Sequence, residues 1–216
     1  MTSARWPFFG LRILTPRLEL RYPDDADCEL VAELSTEQVH DPGFMPFTTP
    51  WTRAPLAERP RGALQHLWRQ RSELQPDHWR LLFLVTADGE PVGIQAVGAD
   101  DFQVTRAVST GSWIVQRAQG QGIGKEMRAA VLHLAFEGLG AAEAHTSAFA
   151  DNGPSVGVTT SLGYRPNGIY TDAREGVAAR HLRFLLTRAD WQRRADITIE
   201  GLDPCRRLLG AATPDS

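Results

Sequence analysis

The sequence predicts an α/β fold in one domain with short extensions. The chain has 216 residues, of which 42% are hydrophobic and 23% are charged, so it can bury one substantial core. Segments that alternate with period two, as strands do, are interspersed with segments whose apolar residues recur every three or four positions, as in helices. In the middle of the chain a strand, a glycine-rich loop, a helix and another strand follow one another, which predicts a right-handed unit with two parallel strands.

The first predicted elements are a strand and two helices. Residues 17–21 alternate with period two, and Pro16 before them favours a position at the edge of a sheet. Asp24 or Asp25 can cap a helix whose apolar residues share one face. A loop rich in proline and aromatic residues follows at 42–51, and a second amphipathic helix is expected after it.

A hairpin and the strand–helix–strand unit occupy the centre of the chain. Residues 81–85 and 92–97 are predicted to pair, because Asp88-Gly89 between them suits the positive φ angles of a tight turn. Strands at 111–115 and 144–149 then flank an amphipathic helix. A ligand of this unit is expected at the carboxyl ends of its strands.

Two elements complete the predicted fold. Asn152 or Asp151 can cap a short helix, which tolerates Pro154 in its first turn and ends at Gly163. Residues 180–186 alternate as a last strand.

The glycine-rich loop reads Gln119-Gly120-Gln121-Gly122-Ile123-Gly124. Alternate glycines let the backbone approach an anion, and the helix that opens here points unpaired N–H groups and its positive dipole end at that anion. A Walker loop would need Ser or Thr in place of Glu126, and a dinucleotide fingerprint would need glycine in place of Lys125 or Met127. The remaining pattern, Gln-x-x-Gly-x-Gly, predicts a site for a pyrophosphate-bearing molecule.

This loop, followed by Asn152-Gly153-Pro154-Ser155 and then Gly163-Tyr164, resembles the GNAT superfamily of acyl-CoA-dependent N-acyltransferases. Residues 111–191 look like the branch that includes the ribosomal-protein N-terminal acetyltransferases, and the first half of the chain resembles it more loosely. The resemblance implies a mixed, mostly antiparallel sheet of about six or seven strands, with helices on both faces and a parallel pair that splays apart at the acyl-CoA site. The expected division is an N-terminal extension at 1–11, an acyltransferase domain at 12–194 and a C-terminal tail at 195–216.

The resemblance also implies roles for individual residues. Asn152 would contact the pantetheine, and Ser155 would lie near the sulfur, where its hydroxyl can protonate the leaving thiolate. Tyr164 is the alternative acid, because a phenol has a pKa of about 10. Purely structural roles stay open: a helix cap for Asn152, and core packing for Trp113 and Tyr164. The residues assigned to acyl-CoA are Trp113, Ile114 and Val115, through their main chain, and Gln119, Gly120, Gln121, Gly122, Ile123, Gly124, Lys125, Asn152 and Ser155.

An N-acyltransferase must align an amine with the thioester, stabilise an oxyanion and remove a proton from the ammonium group. Glu37, His40 and Asp41 are candidate bases, with a water relay as the alternative. The loop at 42–51 is expected to border the acceptor, although its aromatic side chains would equally suit packing onto the sheet. The residues assigned to the acceptor are His40, Phe44, Phe47 and Trp51.

The implied donor is acetyl-CoA, but Met45-Pro46-Phe47 and Pro50-Trp51 look like a subgroup in which succinyl-CoA is a plausible donor. The implied acceptor is a primary amine, of a small molecule or of a protein N-terminus or lysine. Two other functions stay open. One is a CoA-binding module without turnover that exposes Trp6, Phe8 and Phe9 to a partner, and the other is a nucleotide-binding protein that uses the same loop.

Composition argues against several other classes. The net charge of −3 and the pI of about 6.1 give no positive field to attract nucleic acid or an anionic membrane. Two distant cysteines, Cys28 and Cys205, and no secretory segment near Met1 favour reduced thiols and the cytoplasm. No apolar stretch approaches the ~20 residues of a membrane span. The histidines lack metal-ligand spacing, so no metal is expected, and a homo-oligomer stays open.

Overall fold

One mixed β-sheet with helices on both faces forms the architecture of residues 5–211, the part of the chain that this computed structural model describes. Short 3₁₀ segments at Pro7–Gly10, Trp51–Arg53, Gln116–Ala118 and Asp203–Leu209 supplement the regular elements. In chain order these elements are β1 (Arg12–Leu14), β2 (Leu18–Arg21), α1 (Asp25–Leu34), α2 (Arg59–Ser72), β3 (His78–Ala87), β4 (Glu90–Asp100), α3 (Phe102–Thr105), β5 (Ala107–Ile114), α4 (Ile123–His133), β6 (Glu143–Phe149), α5 (Gly153–Ser161), β7 (Arg165–Arg174), β8 (Val177–Thr187) and β9 (Thr198–Glu200).

The two faces of the sheet can be read from the side chains of β3. Leu81, Phe83 and Val85 belong to the main core, which includes α4, whereas Leu82 and Leu84 pack with residues of α1 and α2. Successive side chains of a strand point to opposite faces. Helix α4 therefore covers one face of the sheet, and α1 with α2 covers the other, which confirms the prediction of helices on both faces.

The strands lie in the order β7-β8-β6-β5-β4-β3-β2-β1-β9. All neighbours in the described sheet are antiparallel except β5 and β6. This parallel pair joins residues 107–109 to residues 143–145 and then ends. Because β5 continues to Ile114 and β6 to Phe149, the strands diverge beyond that point. We call the space between residues 110–114 and 146–149 the fork; it is the splayed parallel pair expected from the sequence.

The sheet has more strands than the six or seven expected, because β1, β7 and β9 were not predicted. β1 and β9 have three residues each, too few for a periodic pattern. β1 lies between β2 and β9, so the edge position predicted for β2 from Pro16 is wrong. Pro16 instead lies in the turn between β1 and β2.

Residues 5–11 and 195–211, the described parts of the two terminal segments that the sequence analysis separated from the domain, pack against it. β9 lies in the segment expected to be a tail, and Leu202 and Leu209 beyond it are buried in the main core. Phe8 is fully buried, and Trp6 and Phe9 pack against the same core. Phe8 is therefore not part of the exposed aromatic surface suggested for a CoA-binding module, whereas Trp6 and Phe9 are partly exposed.

Local signals in the sequence placed several elements correctly. The carboxylate of Asp24 accepts the amide of Asp27 at the start of α1, and the Asp27 side chain returns a capping contact. Asp88 and Gly89 have φ of 51° and 83° and connect β3 to β4. This is the predicted two-residue turn.

Gly93 of β4 is required by close packing against β5. A Cβ at this position would lie 2.2 Å from the carbonyl oxygen of Trp113 and 2.9 Å from Cα of Ile114. We expect Gly93→Ala to lower the free energy of unfolding by about 1–3 kcal/mol, measured by urea denaturation, because backbone atoms must move. Gly62→Ala in α2 is the control: a Cβ there meets nothing within 4 Å, so about 0.5–1 kcal/mol of stabilisation is expected. Equal stability of the two variants would contradict the close β4–β5 contact.

Candidate active site

The loop between β5 and α4 presents a row of free backbone amides. The N–H groups of residues 120–124 have no acceptor within the described part of the chain, whereas those of Lys125 and Glu126 donate to the carbonyl of Gly122. Gly120 and Gly122 have φ of 74° and 80°, a backbone region that favours glycine. Gly120, Gln121 and Gly122 are exposed to solvent. The loop is thus an open anion-binding concavity at a helix N-terminus.

Side chains of the loop hold it in place. Gln119 donates from Nε2 to the carbonyls of Val39 (2.7 Å) and Ile114 (3.0 Å). This side chain is therefore used to anchor the loop rather than left free for a ligand. Lys125 is exposed and forms no ion pair with a described residue, so its ammonium group is available to an anion.

Arg17, which the sequence analysis did not select, borders the same loop. Its Nη1 donates to the carbonyl of Gln121 (3.0 Å), and its Nε donates to Oε2 of Glu126 (2.7 Å). Burial raises the pKa of Glu126, but hydrogen bonds from Thr15 and Arg17 outweigh this effect and hold the pKa below its usual range. Arg17 is thus paired with Glu126 and ties the loop to the segment before β2. More than 100 residues separate it from this contact, and no local sequence signal points to it.

The fork offers unpaired main-chain groups along one edge of β5. Beyond Ser109 this strand keeps β4 as its neighbour but loses β6. Hydrogen-bonding groups of a strand point alternately to its two edges, so half of them face the fork. Two are satisfied internally: Oγ1 of Thr146 donates to the carbonyl of Thr110 (3.1 Å), and Nε2 of Gln119 donates to that of Ile114 (3.0 Å). The amide of Val115, by contrast, donates to Val92 (2.9 Å) on the β4 side. An extended ligand can add to the free edge as a strand would.

A buried polar cluster lies on the α4 side of the fork. Arg128 is 4% exposed and donates to Oγ1 of Thr146 and Oγ of Ser112, both at 3.3 Å, so it bridges the two diverging strands. The hydroxyl of Tyr164 lies 3.5 Å from Oγ1 of Thr110. Burial lowers the pKa of Arg128 and raises the pKa of Tyr164. No carboxylate pairs with Arg128 among the described residues, and Tyr164, predicted as the alternative acid, lies within this buried cluster.

The start of α5 lies beside the end of β6. The amide of Asn152 donates to the carbonyl of Phe149 (2.9 Å), and Oδ1 of Asn152 accepts the amide of Ser155 (3.2 Å). The helix-cap role of Asn152 is therefore observed. Its Nδ2 and the hydroxyl of Ser155 form no hydrogen bond to a described residue, and the Ser155 side chain is half-buried. Both groups are free to contact a ligand.

Three of the four predicted acceptor residues lie together against β5. The ring of Phe47 is 5.7 Å from that of His40 and 5.6 Å from that of Trp51, and Trp51 is 5.3 Å from Trp113. This aromatic row connects the loop to one arm of the fork. Phe44 lies apart from it, under the guanidinium of Arg174 at 5.5 Å.

The predicted bases all have other partners. In His40, Nδ1 donates to the carbonyl of Asp41 and Nε2 accepts from Oγ1 of Thr52, both at 2.7 Å. Oδ1 of Asp41 accepts the amide of Gly43 (2.7 Å), and Glu37 forms an ion pair with Arg117 (2.9 Å). These contacts shape the loop, and they occupy the groups that a base would need.

The β7–β8 hairpin forms the other border of the acceptor side. Arg174 pairs with Asp151 (2.7 Å), and its guanidinium lies over the rings of both Phe44 and Phe149. Arg53 pairs with Glu175 at the tip of the hairpin (2.6 Å). The loop at 42–53 is thereby attached to the hairpin.

Other features of residues 5–211 lie outside the fork. Two surface cavities of about 370 and 350 Å³, one beside Leu202 and one beside Pro76, do not border it. Within the described ranges no group of three or more His, Cys, Asp or Glu is arranged to hold a metal ion. None of the described helices has the length and apolar character needed to cross a membrane. Cys28 and Cys205 are both buried free thiols.

Solved structures with the same fold include ribosomal-protein acetyltransferases. RimJ of Mycobacterium smegmatis, in complex with CoA-disulfide, is 19% identical with a TM-score of 0.68, over 92% of this chain and 94% of RimJ. RimL, a ribosomal L7/L12 α-N-protein acetyltransferase in complex with coenzyme A, is 17% identical with a TM-score of 0.64, over 80% and 95%. The microcin C7 self-immunity acetyltransferase MccE, with acetyl-CoA and AMP, is 14% identical with a TM-score of 0.60, over 80% and 93%.

These structures confirm the fold, and a family model decides the membership. The model of the acetyltransferase (GNAT) domain matches residues 17–165, a range that includes β2, the glycine-rich loop, the fork and α5. The chain belongs to the acetyltransferase (GNAT) domain family and is a transferase of the N-acyltransferase type.

Proposed function

We propose that the protein transfers an acetyl group from acetyl-CoA to a primary amine by direct attack in a ternary complex. The observation that carries this proposal is the row of five free amides, at residues 120–124, next to the unpaired edge of β5. A diphosphate requires the first feature and an extended pantetheine chain requires the second. An ATP or NAD site would not need the second.

The residues around the fork supply contacts for each part of acyl-CoA. The diphosphate would bind the amides of the loop, with the ammonium group of Lys125 at its rim. The pantetheine amides would pair with the fork-facing main chain of Ser112 and with the amide of Ile114, and Nδ2 of Asn152 is free to donate to them. Trp113 and Val115 would contribute less than expected, because the main chain of Trp113 pairs with Ile94 and the amide of Val115 is bonded to Val92, both on β4.

Ser155 is the acid that we propose for the leaving thiolate. Its hydroxyl is free and half-buried at the start of α5, whereas Tyr164 is 4% exposed within the cluster around Arg128. A thioester needs little activation, so alignment of the amine and protonation of the departing sulfur account for most of the catalytic requirement.

The acceptor that we propose is a protein N-terminal amine. RimL carries a name that specifies α-amino acetylation of a protein, and the aromatic row of His40, Phe47 and Trp51 provides a surface for the residue that carries the amine. Lysine and small-molecule amines are the alternatives. A cytoplasmic location and a homo-oligomer stay predictions from the sequence.

A succinyl donor is the second candidate, and Arg128 is the observation that favours it. Its guanidinium is buried at the fork without a carboxylate partner in the described chain. An unpaired buried charge is costly, and a guanidinium binds a carboxylate in two-point geometry. The free carboxylate of a succinyl group would supply that partner.

Native mass spectrometry of the purified protein tests the donor. We expect a retained CoA species, whose mass identifies the acyl group, and release of free thiol from acetyl-CoA with peptides that have a free N-terminus. Faster thiol release from succinyl-CoA would select the second candidate. Binding without thiol release across a broad panel of amines would contradict catalysis, and displacement of CoA by ATP or NAD at comparable concentration would contradict the assigned site.

Gly122→Val tests the loop. The substitution places a branched side chain at a φ of 80°, next to the free amides, and we expect CoA affinity to fall at least tenfold by calorimetry. Gly140→Val is the matched control, because Gly140 has a φ of 73° and lies beyond the end of α4. Both variants should lose about 1–2 kcal/mol of stability, but only the first should lose CoA binding. Equal CoA affinities in the two variants would rule out the assigned loop.

Ser155→Ala tests the acid. We expect kcat to fall about 100-fold while the dissociation constant for acetyl-CoA changes less than about threefold, because proton transfer matters only during the reaction. Ser161→Ala at the end of α5 is the control, since that hydroxyl donates only to the carbonyl of Val158. A fall in affinity as large as the fall in kcat would remove Ser155 from the acid role.

A further inference from the structure

A histidine of β8 lies beside the fork on its acceptor side. His181 pairs in register with Phe149, the last residue of β6, and the two rings stack with centroids 4.5 Å apart. The guanidinium of Arg174 covers Phe149 and also Phe44 of the acceptor loop. His181 therefore lies on the sheet face that this loop covers. Its partner Phe149 comes three residues before Asn152 in the sequence.

Two groups of β7 hold one ring nitrogen of His181. The hydroxyl of Tyr170 forms a hydrogen bond with Nδ1, and Oδ2 of Asp172 lies 3.6 Å from the same atom. The carboxylate of Asp172 favours the tautomer that carries its proton on Nδ1, in which Nδ1 donates to the hydroxyl oxygen of Tyr170. Nε2 then carries the lone pair, and it has no hydrogen-bond partner among residues 5–211.

The charges around the ring act in opposite directions. Burial lowers the pKa of His181, Asp172 raises it and Arg183 lowers it, and the pKa as a whole lies below its usual value. Arg183 is held over the ring of Tyr170, 4.4 Å from its centroid. Arg174, the other nearby cation, is paired with a carboxylate. The imidazole is consequently neutral at pH 7, the state in which it can accept a proton.

We infer that His181 is the general base that deprotonates the amine acceptor, with Asp172 and Tyr170 as its positioning residues. This inference rests on the proposed N-acyltransferase function. The other candidate bases, Glu37, His40 and Asp41, are already bonded to other groups. The cluster of His181, Tyr170 and Asp172 has no role in the proposed binding of acyl-CoA.

The proton transfers balance as follows. The ammonium group of the acceptor gives one proton to Nε2 of His181, which later releases it to solvent. The nitrogen lone pair forms the bond to the acyl carbon, and the bond between that carbon and sulfur breaks. The departing sulfur takes a proton from Ser155, and the second proton lost by the nitrogen restores the serine hydroxyl. The products are an amide, free CoA and one proton.

Kinetics of variants test the base. We expect His181→Gln to lower kcat/KM for the amine by about 100-fold or more with unchanged acetyl-CoA affinity, and to abolish the fall in rate at acid pH. The wild-type rate falls at acid pH because a protonated imidazole cannot accept a proton. The midpoint of this fall is expected at a pH below the usual histidine pKa of about 6.5. Asp172→Asn should move it to lower pH, since Asp172 raises the pKa of His181. Tyr170→Phe should reduce the rate less than His181→Gln does.

His78→Gln is the matched control, because it removes a surface histidine whose Nδ1 lies 2.6 Å from Asp100, on strand β3. Its rate and pH profile should equal those of the wild type. An active wild type together with a His181→Gln variant within threefold of it, with the acid limb retained, would overturn the inference.

Nitrogen NMR of the imidazole supplies a readout that needs no turnover. At pH 7.5 we expect the His181 ring to be neutral with its proton on Nδ1, and the signal to be absent from His181→Gln. A proton on Nε2, or a charged ring at this pH, would overturn the role of His181 even if the wild type acylates amines. Absence of turnover with every amine would count against the proposed function itself. The tautomer seen by NMR would still show whether Nε2 of His181 can accept a proton.

Discussion

The early end of hydrogen bonding between β5 and β6 is the constraint on which the site depends. The two strands separate after three residue pairs, yet each keeps its other neighbour, β4 for one and β8 for the other. The fork is therefore held open by antiparallel ladders on both sides. Buried main-chain groups need partners, so an edge left open in this way requires either solvent or an extended ligand.

The buried side chains behind the fork are consistent with this geometry. Arg128 reaches from α4 to hydroxyls on both diverging strands, and Thr146 bonds to the carbonyl of Thr110 where the pairing stops. These contacts fill the gap on the α4 face with polar groups that a continuous ladder would not need. The aromatic row and the β7–β8 hairpin lie on the opposite face of the sheet. Different sets of residues therefore border the proposed sites of the acyl donor and of the amine acceptor.

The sequence predicted the parts of the site that depend on local signals. The glycine loop, the cap at Asn152 and the fork strands follow from spacing within a few residues. β7 was missed because its side chains are largely exposed and a register shift lies between Pro166 and Ile169. His181 consequently looked isolated, since its partners on β7 become neighbours only when that strand is paired. Arg17 was missed for a similar reason, because only tertiary folding brings it to the glycine loop.

The pairing of β9 with β1 means that residues 198–200 cover the outer edge of β1. Gly201 approaches Gly10 so closely that a Cβ would lie 2.1 Å from the carbonyl oxygen of Gly10. A chain cut at residue 194 would leave β1 as a bare edge strand, with a row of unsatisfied amides and carbonyls beside newly uncovered apolar residues. Such an edge is a template for self-association. β9 and the buried residues that follow it up to residue 211 thus cover an edge prone to aggregation, at the side of the sheet remote from the fork.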